Sequence, residues 1–199
     1  MPGILAESKK VLFNGDGYSE EWHAEAEKRG LPNLKNTVDA LPIIMSKESV
    51  ALFGKYKVYT EGELQSRFNI FCESYVKTVT IEAKLTKFMA ATMIIPAVVR
   101  YQTELATAVG ACKAVGVDGP LDLLKTVSTG LADLSKTVAA LDAALSHHAE
   151  GELHDHAKYS RDTLLPKMLD VRKAADKLET VVADDLWPMP TYREMLFIR

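Results

Sequence analysis

The hydrophobic positions of this chain follow one rule after residue 60 and another before it. Beginning at Leu124, apolar side chains recur at Val127, Leu131, Leu134, Val138, Leu141 and Leu145, with His148 next in register. The spacings alternate between three and four, the 3.5-residue period of a coiled-coil seam, and predict a long helix over 119–149. Asp118-Gly119-Pro120 opens it, with proline near the first helical position, where a missing N–H is harmless. A second stripe, Leu153, Ala157, Ser160, Leu164, Met168, Val171, Ala175, Leu178 and Val182, predicts a helix over 152–184. Between Leu164 and Met168 it gains one residue against the strict heptad, and Pro166 lies inside that stutter. Upstream, Thr60 and Glu63 form a capping box that opens a helix predicted over 61–115. Its apolar residues fall into two helical sets, Leu64, Phe68, Phe71, Tyr75 and Val79, then Ile81, Leu85, Phe88, Ile95 and Val99. The sets are out of phase by two residues. The stripe is therefore expected to jump to nearly the opposite face around Thr78-Val79-Thr80, with a bend near Pro96.

The first sixty residues are short and punctuated. Val11 to Ser19, VLFNGDGYS, reads as one brief apolar strand running into a glycine-rich turn. Ser19 caps a short helix whose first turn is acidic and which Lys28-Arg29-Gly30 closes. Pro32 and Pro42 prevent any long element, and Ser46 caps a further short helix. The fold class that follows is mainly α: an antiparallel bundle of three long helices preceded by a small loop-rich α segment with one short strand.

Composition narrows the function classes. A chain of 199 residues with 47% hydrophobic and 26% charged side chains has an ordinary globular core. A net charge of −3 gives no electrostatic reason to expect nucleic acid or an anionic membrane as partner. Cys72 and Cys112 stand 40 positions apart in apolar surroundings, without metal spacing or a disulfide framework, which fits a reducing compartment. No run of 18 apolar residues occurs, so a cytoplasmic location is the expectation.

The densest candidate chemistry is HHAEGELHDH, with His147, His148, His154 and His156 among three carboxylates. These donor types suit a first-row metal. Gly151, however, separates the second and third helical stripes, which makes the stretch the tip of a helical hairpin. There His148 continues one seam, His156 neighbours another, and His147, His154 and the acids fan outward. A metal needs three or four ligands on one point with support behind them. A polar turn is the expected identity of this stretch, and a metal-responsive hairpin is the weaker alternative. Asn14-Gly15-Asp16-Gly17 lacks the residues of a phosphate loop and the spacing of a calcium loop.

The C-terminus, LWPMPTYREMLF, does not read as a frayed tail. Trp187-Pro188-Met189-Pro190 is locked extended, and Thr191 with Glu194 forms a second capping box for a short helical turn. Its apolar residues need a surface, either the chain's own bundle or another subunit. The docking residues expected are Trp187, Pro188, Pro190, Tyr192, Leu196 and Phe197.

Four blocks, FNGDGYSEEWHAEAEKRGLPNLKNTVDALP, TEGELQSRFNIFCESYVKTVTIEA, YSRDTLLPKMLDVRKAADKLE and LWPMPTYREMLF, resemble successive segments at the C-terminal end of type III glutamine synthetases. These are the large-subunit bacterial form of glutamate–ammonia ligase. The resemblance runs from about Lys10 to Phe197, and GYSEEW…AEKRGLPNL and WPMPTY are its most specific parts. The stretch His147–His156 departs from the family, which is variable there and not histidine-rich.

The resemblance implies that the metal-binding glutamates and phosphate-binding arginines of such an enzyme precede this chain. No catalytic residue is carried over, and ATP with Mg or Mn belongs to the parent enzyme. Residues 1–59 would finish the catalytic domain, 60–185 form the bundle, and 186–199 the docked segment. The implied partners are the catalytic part of the same enzyme and other subunits of a homo-oligomer. The function expected is a structural and assembly part of that ligase. The alternative is a free-standing helical interaction or regulatory module derived from the family.

Overall fold

The computed structural model describes residues 2–147, 151–190 and 192–196, with backbone alone for Pro2, Tyr192 and Arg193. Helices dominate, as the patterning predicts, and no strand occurs among the described residues. The chain divides into two compact units, Met1–Phe68 and Asn69–Arg199.

In the first unit, α1 (Pro2–Glu7) runs into a 3-10 turn at Ser8–Val11. It is followed by α2 (Glu20–Lys28), α3 (Thr37–Ala40), a 3-10 turn at Leu41–Met45, and α4 (Lys47–Lys55). Polar caps set the starts of α2, α3 and α4 by accepting an otherwise unpaired N–H. The Ser19 hydroxyl accepts from Trp22 N at 3.3 Å, Asn36 from Asp39 N at 3.0 Å, and Ser46 from Ser49 N at 3.1 Å. The strand expected from Val11 is not formed. Strand carbonyls need a neighbouring strand to donate to them. Here a single guanidinium takes that place: Arg29 Nη1 donates to the carbonyls of Lys9, Lys10 and Leu12 at 3.3, 3.2 and 2.7 Å. Arg29 also pairs with Glu25 at 2.7 Å and lies 5.6 Å from the Trp22 ring centre, itself packed on Phe13.

Helix α5 (Glu61–Met89) begins as predicted, with Thr60 N donating to Glu63 Oε2 at 2.7 Å and Glu63 N to Thr60 Oγ1 at 3.3 Å. A π-helical turn at Ala90–Ile94 leads into α6 (Ile95–Ala114), and α7 (Leu121–Ser146) returns antiparallel to it. After the hairpin tip come α8 (Leu153–Tyr159), a second π turn at Ser160–Leu164, α9 (Leu165–Glu179) and the short α10 (Tyr192–Leu196). The α7 seam is as read. Val127, Leu134 and Leu141 are fully enclosed, and Leu124, Leu131, Val138 and Leu145 pack beside them on Val171, Ala175 and Leu178 of α9 and Val98 and Leu105 of α6.

Two features differ from the pattern. The α5 stripe does not jump. Its core face continues straight through Cys72, Val79 and Ala83 to Ala90 of the π turn, while Ile81, Leu85 and Phe88 stand exposed. The small residues lie inside because they permit close helix approach, and size alone had suggested the reverse. Burial also pushes the Cys72 thiol pKa up.

Secondly, both interior prolines sit just after a π turn. Pro96 and Pro166 cannot donate to the carbonyls four residues back, Thr92 and Asp162. Those carbonyls lie within the two π turns. The residue before each proline donates five residues back instead, Ile95 to Ala90 and Leu165 to Ser160. The bend expected at Pro96 and the stutter at Pro166 are one device: a wider turn that absorbs an extra residue while the seam stays on the core.

Candidate functional site

At the closed end of the hairpin, α7 stops at His147, whose backbone turns extended (φ −76°, ψ 125°). Gly151, at φ +109°, occupies a conformation that a Cβ would strain, which is why glycine marks the tip. Glu152 N then donates to Asp155 Oδ2 at 3.3 Å, securing the first turn of α8. Tyr159 crosses back to α7, its hydroxyl donating to the Ala144 carbonyl at 2.9 Å and its ring 5.1 Å from that of His147. Between these elements and α5 lies a cleft of about 280 Å³, lined by Val76, Thr80, Lys84, His147, His156 and Tyr159 among others.

The four flagged histidines have different fates. His147 and His156 share this cleft, and His156 Nε2 lies 3.3 Å from the Gly151 carbonyl. His154 is half-buried on α8. His148 lies outside the described residues. The nearby acids are engaged locally. Asp155 pairs with Lys158 at 3.0 Å, and that hydrogen bond, with the Glu152 N–H, holds its carboxyl below the usual range. Asp162 is held down chiefly by its hydrogen bond from Arg161, at 2.6 Å. Among the described residues, no three His, Cys, Asp or Glu side chains converge on a point that could hold a metal ion. The chemistry on view is that of a hairpin clasp: Tyr159 ties α8 to α7, and Ser160 donates to the His156 carbonyl at 3.0 Å. Tyr159 was invisible to sequence reading because its partner is a backbone carbonyl fifteen residues away.

The C-terminal segment divides in two. Leu186 and Trp187 pack against the core cluster of the bundle, and Trp187 N donates to Ala183 O at 3.2 Å. Its indole Nε1 is enclosed without an acceptor among the described residues. Pro188 is half-buried and Pro190 exposed. Beyond them Met195 and Leu196 of α10 are exposed. The Tyr192 side chain, Thr191 with its expected cap, and Phe197 lie outside the described residues. Among the described residues, no helix is long and apolar enough to cross a membrane.

Residues 2–113 match the family model described as the glutamine synthetase C-terminal domain. A glutamine synthetase of Butyrivibrio fibrisolvens is 36% identical over 200 residues, covering 97% of this chain. A type-3 glutamine synthetase of Dictyostelium discoideum is 31% identical over 98% of the chain, and a glutamine synthetase of Bacteroides fragilis 30% identical over 96%. In each case the chain spans 28% of the relative's length.

Proposed function

The chain belongs to the glutamine synthetase C-terminal domain family, as the C-terminal domain of a type III enzyme, and on that premise we propose that it is the non-catalytic assembly part of its ligase. The observation that carries the proposal is that near-complete coverage of this chain corresponds to little more than a quarter of each relative. The parent reaction is ATP-dependent joining of ammonia to glutamate, with Mg²⁺ or Mn²⁺ neutralising phosphate charge. The described donors do not fit those ions: among the described residues the two cleft histidines have no third donor beside them, and Asp155 and Asp162 are committed to Lys158 and Arg161. No step is therefore routed through these residues.

The division of labour proposed is as follows. Residues 1–59 complete the fold of the catalytic domain, 60–185 form the body that meets other parts of a homo-oligomer, and 186–199 dock. Within the last segment, Leu186 and Trp187 pack on the bundle, and the docking role is assigned to Trp187, Pro188, Pro190, Tyr192, Leu196 and Phe197. The cytoplasm is the proposed location.

The test is turnover. Purified alone with ATP, Mg²⁺ or Mn²⁺, glutamate and ammonia, the chain is expected to form glutamine only at the background rate, because catalysis here depends on charges preorganised around two anions. Glutamine formation above a boiled control would overturn the non-catalytic assignment.

A further inference from the structure

The cleft beside the hairpin clasp has an apolar floor and a basic rim, on a chain whose net charge is −3. Its floor is a small apolar cluster apart from the main core: Ala144 and Leu164, nearly inaccessible, with Leu145 and Tyr159 packed on them. Thr80 and Lys84 of α5 rise from one side, His147 and His156 from the hairpin on the other. All belong to the one unit Asn69–Arg199. Among the described residues, no carboxylate lines the cleft. The acids of the neighbouring helices are engaged elsewhere. Asp142 pairs with Lys87 at 2.7 Å, Asp155 with Lys158 at 3.0 Å, and Asp162 with Arg161 at 2.6 Å.

Three rim groups are left without partners among the described residues. Lys84 has Thr80, Ile81, Lys87 and Phe88 three and four positions away, none of them an acid, so its own helix offers it no ion pair. The hydroxyls of Thr86, Thr92 and Thr103, further along, turn back onto the carbonyl four residues earlier, whereas that of half-buried Thr80 makes no such bond. The His147 ring stacks near Tyr159 at 5.1 Å and makes no hydrogen bond. His156 is held differently: a carbonyl only accepts, so its Nε2 donates to Gly151 O at 3.3 Å, which fixes that ring as a wall. A lone exposed lysine is ordinarily just solvated. An ammonium, a hydroxyl and an imidazole, all unpaired around one cleft, are the donor set of an anion site.

We propose that this cleft binds a small organic oxyanion, its carboxylate or phosphate group held by Lys84, Thr80 and His147 and its short apolar body resting on Leu145 and Leu164. This site is separate from the assembly role and does not depend on it. The volume, about 280 Å³, lies just below the range of roughly 300–1,000 Å³ that takes drug-sized ligands, which limits the occupant to a few carbons beyond its head group. The apolar floor distinguishes it from a site for an inorganic ion, because that surface gains only when carbon covers it.

The experiment titrates the chain with acetate, butyrate and hexanoate, and with inorganic phosphate and butyl phosphate, by isothermal calorimetry. Affinity is expected to rise along the carboxylate series, by up to about fourfold per methylene. Whichever of butyrate and butyl phosphate binds more tightly identifies the head group. Lys84→Met is expected to weaken the better ligand about tenfold, Lys84→Arg to retain it, and Lys125→Met, which removes the same charge elsewhere, to leave it unchanged. Helical circular dichroism and Tm should be the same in all three variants. Imidazole resonances of His147 should shift on binding. Absence of saturable binding by every member of both series would overturn the proposal. So would equal affinity for acetate and hexanoate, which would remove the apolar floor from the site, or equal weakening by Lys84→Met and Lys125→Met, which would reduce the effect to overall charge.

Discussion

At the scale of single residues, the sharpest constraints come from close approach and from charge at helix ends. A Cβ on Gly119 would stand 2.9 Å from the Val109 Cα and 3.2 Å from the Cys112 Cβ, where the first neighbour is backbone and cannot swing aside. Gly119→Ala is expected to lower Tm. Gly110, on α6 with nothing within 4 Å, should respond oppositely: Gly110→Ala gains about 0.5–1 kcal/mol of helix propensity. Thermal melts of the two variants check this, and equal shifts would contradict the packing of the α6–α7 turn. Glu63 supplies a pH dependence. The Thr60 N–H, then the Thr60 hydroxyl, hold its carboxyl below the usual glutamate range, with Arg67 adding a smaller pull. A depressed folded pKa means that this contribution to stability is present above the unfolded value. It is lost as pH falls through the folded one. Glu63→Gln should therefore flatten the acid limb of a melting-temperature titration and leave the limb above neutrality parallel to wild type. Arg29 marks the limit of sequence reading at this scale. Its partners lie 17 to 20 residues away and are carbonyls, which leave no trace in side-chain pattern.

Among elements, α7 was fully legible and α5 only half so. The α7 seam is built from Leu and Val alone, so periodicity and burial coincide. Leu134 is completely enclosed at its centre, and Leu134→Ala should cost about 2–5 kcal/mol in chemical denaturation. A loss under 1 kcal/mol would show that the seam does not form the core. On α5 the larger apolar residues marked the wrong face. Ala83 and Ala90 carry too little hydrophobic signal to be chosen over Leu85 and Phe88, although they are the side chains that fit where helices meet closely. The π turns were visible only indirectly, as a bend expected at Pro96 and an added residue before Met168. The strand at Val11 failed because short-range pattern cannot reveal whether a partner strand exists. The hairpin tip was legible from Gly151, but the Tyr159 clasp was not.

For the molecule as a whole, the bundle is a packed body whose interior is filled by its own side chains, and several large apolar side chains remain on its surface. Ile81, Leu85 and Phe88 form one stripe, and Met195 and Leu196 stand at the far end of the C-terminal segment. Surfaces of this kind belong to a part that works in contact with others. Their meaning comes from family membership, which composition and periodicity alone could not supply and which the blocks from Phe13 to Pro42 and at Trp187–Tyr192 carried. The most direct measurement is the mass distribution, by mass photometry, of the parent glutamine synthetase with and without this 199-residue region. The account predicts that removal shifts the enzyme to smaller species, and that adding the region back as a separate chain restores the larger one. An unchanged mass distribution after removal would contradict the assembly role.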